Sequence, residues 1–266
     1  MIIGNKYKLI KSIGEGAFGK IFSAENVRTR EMVAIKSEPI STESKMLKYE
    51  TKVYQYLGNR IGFPQVKWFG VENGRYFMAI TLLGESLTSY KNNSNTQLSL
   101  ANIFLICQKM VERLEYIHCK GLIHRDIKPD NFLFKGEELY LIDFGLCKKY
   151  KRADGEHIEE RSNRTPLGTA NFISVNVHCG IEPSRRDDIE SVGYIILFML
   201  LKDDLPWSKY NSSNHSEMSK EKIGILEQKI PAFLKEYLIY CRTLKFDDTP
   251  DYSYLKKLFS NNENEG

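Results

Sequence analysis

The hydrophobic period of this chain changes once, around Leu82-Leu83-Gly84, and that change restricts the fold it can adopt. Before it lie short runs of β-branched and aromatic residues: Tyr7 to Ile13, Ile21 to Ala24, Met32 to Lys36, Val66 to Gly70 and Tyr76 to Ile80. Such runs predict a small antiparallel sheet. The last two flank Asn73-Gly74, a pair that tolerates the positive φ angles of a tight hairpin. Lys45 to Leu57 lacks glycine and proline and reads as a helix ended by Gly58. After the change, Ile103, Ile106, Met110, Leu114 and Ile117 fall at helical spacing behind Ser99, a suitable cap. Asp188 to Lys202 is apolar nearly all round, which places it at the centre of a larger helical lobe. Phe132 to Phe134 and Leu139 to Ile142 interrupt the helices as a short hairpin, and Asp203 to Lys222 reads as an exposed polar loop. The expectation is an α+β chain of two lobes. The smaller, an antiparallel sheet with one helix, runs to about residue 81 and joins at about 82–85 a mainly helical lobe from about 86 to 260, with a polar tail at 261–266.

With 266 residues, 42% of them hydrophobic, the chain can bury a sizeable core. A net charge of +4 is too small an excess to argue for nucleic acid. The five cysteines are scattered, with no Cys-x-x-Cys pair, so neither a disulfide framework nor a zinc site is expected and a reducing compartment fits. No charged-then-apolar leader opens the sequence, and its most apolar stretch, Gly193 to Leu201, is too short to span a bilayer. A monomer of the cytoplasm or nucleus, without a membrane partner, is expected.

Chemistry concentrates in His124-Arg125-Asp126-Ile127-Lys128-Pro129-Asp130-Asn131. Asp126 can orient a nucleophile, and the carboxamide oxygen of Asn131 can bind a hard metal ion. Gly14-Glu15-Gly16-Ala17-Phe18-Gly19 fits G-x-G-x-x-G, which dinucleotide-binding folds share; here it joins two strand-like runs instead of opening a helix, and a glycine-rich hairpin without ligand is the bland alternative. Val33-Ala34-Ile35-Lys36 ends a strand in an ammonium able to hold phosphates, and Glu50 in the predicted helix is its natural partner, better placed than Glu43. Alternatively both are solvated surface charges. Asp143-Phe144-Gly145 follows the hairpin, which returns the acid towards Asn131, and the two oxygens suit magnesium with phosphate and water completing the octahedron.

In their order and contexts, Gly14, Gly16, Gly19, Lys36, Glu50, Asp126, Asn131 and Asp143 resemble the signature set of eukaryotic-type protein kinases. Lys128 is similar to the serine/threonine pattern. Leu167-Gly168-Thr169-Ala170-Asn171-Phe172-Ile173-Ser174-Val175-Asn176, followed by Ser184-Arg185-Arg186-Asp187-Asp188, resembles the casein kinase I family, as do Leu205-Pro206-Trp207 and Phe246 to Tyr254.

That resemblance implies a bilobal kinase fold with ATP and Mg2+ between the lobes, and transfer of the ATP γ-phosphate to serine or threonine in acidic or already phosphorylated proteins without prior activation. It implies that Ile13, Ile21, Ala34, Leu133 and Ile142 sandwich adenine, that Ile80 stands behind it and that Leu83 offers backbone groups to it. Arg125, Lys148, Arg164 and Arg185 match positions associated with anion binding, with Lys220 or Lys222 as further candidates; a solvated basic face is the alternative. Asp188 is expected to brace the catalytic loop. The chain departs from the family at Thr81, in the shortened loop after Trp207 and in ending soon after Phe259. A pseudokinase scaffold is the rival reading, but Lys36, Asp126 and Asp143 are all retained.

Overall fold

Strands Ile2–Ile3 (β1), Tyr7–Gly16 (β2), Gly19–Asn26 (β3) and Met32–Pro39 (β4) lead into helix Met46–Leu57 (α1) in the computed structural model, which describes residues 1–16, 19–41, 45–93, 98–202 and 204–260. Ala17 and Phe18 of the glycine-rich stretch, Glu43, Asp203 and the tail 261–266 lie outside the described residues. Strands Val66–Glu72 (β5) and Arg75–Thr81 (β6) complete an antiparallel sheet ordered β1-β2-β3-β4-β6-β5. Then come helices Leu87–Asn93 (α2) and Leu100–Cys119 (α3), strand Leu122–Ile123 (β7), the hairpin Phe132–Lys135 (β8) and Glu138–Leu141 (β9), and strand Lys148–Lys149 (β10). Helices Val175–His178 (α4), Arg185–Leu200 (α5), His215–Gly224 (α6), Ala232–Thr243 (α7) and Tyr252–Lys257 (α8) follow.

The chain divides into two compact units. One joins Met1–Glu85 to Leu133–Gly145; the other joins Ser86–Phe132 to Leu146–Gly266. In the first, strand alternation puts Val33, Ile35, Phe77 and Ala79 into a core with Ile3, Tyr7 and Ala24. The other face of the same strands carries Ala34 and Lys36, with Ala34 opposite Ile80 and Lys36 opposite Ile21 in the register. The turn between β5 and β6 has positive φ at Asn73 and Gly74, as the sequence predicts. β1 is an addition that two residues were too short to announce.

The sequence places the hairpin strands in the larger lobe; most of β8 and all of β9 instead belong to the sheet unit. Backbone bonds explain it: Gly84 N donates to Phe134 O, Phe134 N to Glu85 O and Leu141 N to Gly62 O.

In the helical unit, α5 packs against α3 and α7. Ile189, Val192, Ile195 and Ile196 of α5 are fully buried, as the apolar pattern predicts. Gly193 faces α7: a β-carbon there would lie 2.5 Å from Leu238 Cδ2, so the leucine side chain would have to shift. Ser99 caps α3 by accepting from Asn102 N. The stretch expected as a loop before Lys222 contains a 3₁₀ turn at Pro206–Lys209 and the helix α6. Asn214 caps α6 by accepting from Glu217 N, and Met218 and Lys222, four residues apart, both turn inward. A buried lysine disguised the amphipathic face.

Candidate active site

Within the sheet unit, Ile13, Ile21, Ala34, Ile80, Leu83, Leu133 and Ile142 line one cavity of about 530 Å³, which Lys36, Glu50, Tyr54 and Asp143 also line. The lining is mostly aliphatic and includes Leu82, Leu83 and Gly84, the residues that follow β6. Lys36 Nζ lies 2.7 Å from Glu50 Oε2 and 3.2 Å from Asp143 Oδ1. Burial works against the ammonium, but the charges and hydrogen bonds of Glu50 and Asp143 outweigh it and raise the lysine's pKa. Glu50 is the partner expected from sequence. Gly14 and Ile21 are paired across β2 and β3, while Gly16 pairs with Gly19. A β-carbon on Gly19 would fall 1.8 Å from Ser37 O on β4, so the approach of that strand admits only glycine there.

Asp143 takes a left-handed conformation, φ 64°. Non-glycine residues reach it at a cost of about 1–2 kcal/mol, so surrounding contacts must hold it. Its amide donates to the Tyr54 hydroxyl at 3.1 Å, and the Tyr54 ring meets Phe144 edge-on at 5.2 Å.

Within the helical unit the loop from His124 to Asn131 is anchored by Asp188, which accepts from His124 N at 2.7 Å, Arg125 N at 2.9 Å and His118 Nε2 at 3.0 Å. Burial works to raise the Asp188 pKa, but these bonds and charges outweigh it and hold it below the usual range. The sequence expectation for Asp188 therefore holds. Asn131 Nδ2 donates to Asp126 O at 2.8 Å. Lys128 Nζ lies 2.8 Å from Asp126 Oδ2 and donates to Thr169 Oγ1 at 3.0 Å. Thr169 in turn donates to Asp126 Oδ1 through both its amide and its hydroxyl, at 2.9 and 2.7 Å. Gly168, at φ 106°, permits this approach: a β-carbon there would sit 2.6 Å from Arg125 O.

Of the four arginines and lysines expected to form an anion pocket, Lys148 and Arg164 are brought together, on one carboxylate. Lys148 Nζ and Arg164 Nε both pair with Glu182, at 2.7 and 3.3 Å. Arg125 Nε donates to Leu146 O at 2.7 Å. Arg185 is a correction. It is buried, stacks 4.5 Å over the Tyr150 ring and donates to Tyr150 Oη, Thr249 Oγ1 and Asp247 O, because its position at the start of α5 turns it into the core. Lys222 is also withdrawn from the proposed pocket: it is fully buried and donates to Ala170 O and Ile173 O. Lys220 pairs with Glu217 on the surface of α6.

Sequence reading missed Tyr54 and Glu182, and noted Thr169 without giving it this part. Tyr54 stands one helical turn after Glu50, a spacing that could have revealed it. The family model described as the protein kinase domain matches residues 7–254.

Proposed function

The chain belongs to the protein kinase family, and we propose that it is a serine/threonine kinase of casein kinase I type, acting on acidic or already phosphorylated proteins. As a member of that family it is a phosphotransferase that uses ATP and protein substrates. The observation that carries the finer reading is the contact of Lys128 with both Asp126 and Thr169, since this lysine is the serine/threonine mark of the catalytic loop.

The cavity chemistry fits ATP. Its aliphatic walls suit a flat base, the backbone at Leu83 can pair with the base's edge, and Lys36 supplies a fixed cation for phosphates. Asp143 in the sheet unit and Asn131 in the helical unit each carry a hard oxygen of the kind Mg2+ prefers, and the ion, once held, would neutralise charge on the phosphates. Phosphate and water oxygens would complete its shell. Asp126 orients the substrate hydroxyl and accepts its proton at a carboxylate oxygen, and Lys128 holds the phosphoryl group being transferred. Catalysis is then positioning and charge stabilisation.

Arg125, Lys148 and Arg164 remain the basis for acidic substrates. Lys148 also lines a cavity with Arg152, Ile158, Glu159, Arg161 and Glu182, where Arg152 pairs with Glu159. We read the enzyme as a constitutively active monomer of the cytoplasm or nucleus. Labelled ATP with casein and with a primed peptide tests this, with Asp126→Asn as control. Phosphate on serine or threonine, lost in the control, is expected; no transfer, or transfer unchanged in the control, overturns it. Arg164→Ala should reduce the preference for the primed over the unprimed peptide.

A further inference from the structure

Asp143 is held by two residues of one helix face. Glu50 and Tyr54 are four apart on α1 and both are buried. The Tyr54 hydroxyl accepts from the Asp143 amide at 3.1 Å, and the next amide, that of Phe144, donates to Glu50. The Tyr54 hydroxyl also hydrogen-bonds the Glu50 carboxylate. Successive peptide groups are thus fixed by successive turns of α1, at the residue whose backbone is left-handed. The Asp143 carboxylate, 42% exposed, lines the same cavity as Tyr54.

We propose that Tyr54 is a positioning residue: by taking the Asp143 amide, its hydroxyl sets the direction in which the Asp143 carboxylate meets a divalent cation. This rests on the reading of Asp143 as a metal ligand. A buried tyrosine hydroxyl needs one partner, and Glu50 alone would satisfy it. The second bond, to Asp143, serves the turn instead. Without it the peptide before Asp143 loses the bond that offsets its left-handed strain, and rotation of that peptide swings the carboxylate away from the cavity. Glu50 and Phe144 would still hold the following peptide, so the effect is one of aim and not of unfolding.

Tyr54→Phe removes the hydroxyl and keeps the ring against Phe144. ATP binding by calorimetry, in Mg2+ and in EDTA, separates the possibilities, with amide exchange of Asp143 followed by NMR in the nucleotide-free protein. Expected are about tenfold weaker binding in Mg2+, unchanged binding in EDTA, and about tenfold faster exchange at Asp143 with the β4 amides unaffected. Tyr54→Phe that binds as tightly as wild type in both conditions overturns the proposal and leaves the kinase reading intact. Equal weakening in both conditions also overturns it, since it marks a packing role. Wild-type binding indifferent to Mg2+ overturns the metal reading of Asp143 and the inference with it, a result visible before any variant is made.

Discussion

The Thr169 hydroxyl donates to Asp126 and accepts from Lys128, so one side chain ties the two residues assigned to proton and phosphoryl handling. Thr169→Val keeps the shape and removes both bonds. It should lower kcat about tenfold or more while leaving peptide KM within about twofold, because the loss falls on orientation and not on binding. Thr169→Ser should retain most activity. Steady-state kinetics on one peptide checks both, and full activity in Thr169→Val would remove Thr169 from the machinery.

Lys36 faces two carboxylates, and its pKa is raised above the ordinary lysine value. The sign is that of a group charged more readily when folded: its stabilisation is complete below the unfolded value near 10.5 and is lost only as pH rises through the higher folded value. Between pH 7 and 10 the ammonium therefore persists, and ATP affinity should show no alkaline decline from it. Glu50→Gln leaves Lys36 with Asp143 alone, so the lysine should compete more strongly with Mg2+ for that carboxylate. The Mg2+ concentration giving half-maximal activity should rise several-fold; an unchanged requirement would show that Glu50 does not divide the lysine's charge.

The sheet strands were legible from their β-branched and aromatic runs, α1 from its freedom from glycine and proline up to Gly58, α3 from the helical spacing of its apolar residues and α5 from being apolar nearly all round. Lys36 with Glu50, and Asp188 beneath the loop, were legible because motif order fixes them. Arg185 was misread for a physical reason: a guanidinium stacked on Tyr150 and bonded to main-chain oxygen has the same letter as one in solvent. The same holds for Lys222, whose burial turned α6 into an apparent loop. Thr169 was hidden because its part depends on Gly168 bringing two distant segments within hydrogen-bond reach. Sequence order carries local period well and long-range closure poorly.

Arg185→Ala should accordingly act on folding. It leaves Asp247 O and the hydroxyls of Tyr150 and Thr249 without this donor and opens space over the Tyr150 ring. A loss of about 2–4 kcal/mol is expected, measured by urea unfolding, with the ratio of primed to unprimed peptide turnover unchanged at a temperature where the variant is folded. Loss of that ratio without loss of stability would return Arg185 to the anion site.

Two buried groups near α4 and α5 oppose each other in acid. Burial, Lys222 and His215 push the His178 pKa down to about 3, whereas burial pushes Asp187 up to about 6 against its bonds from Ser174 and Ser184. Between pH 6.5 and 3 the unfolded chain protonates His178 and the folded one does not, so this residue's contribution falls as pH falls. Between pH 6 and 3.8 the folded chain protonates Asp187 and the unfolded one does not, so the Asp187 contribution rises as pH falls. Each slope is at most about 1.4 kcal/mol per pH unit, and in the shared window they offset. Stability from pH 6 to 5 should therefore change little on account of this pair. Removing one group should expose the other: His178→Gln should gain stability relative to wild type on that step, and Asp187→Asn should lose it. Urea unfolding at pH 6 and 5 reads both differences, and parallel pH dependence in all three proteins would show that neither group titrates as its surroundings dictate.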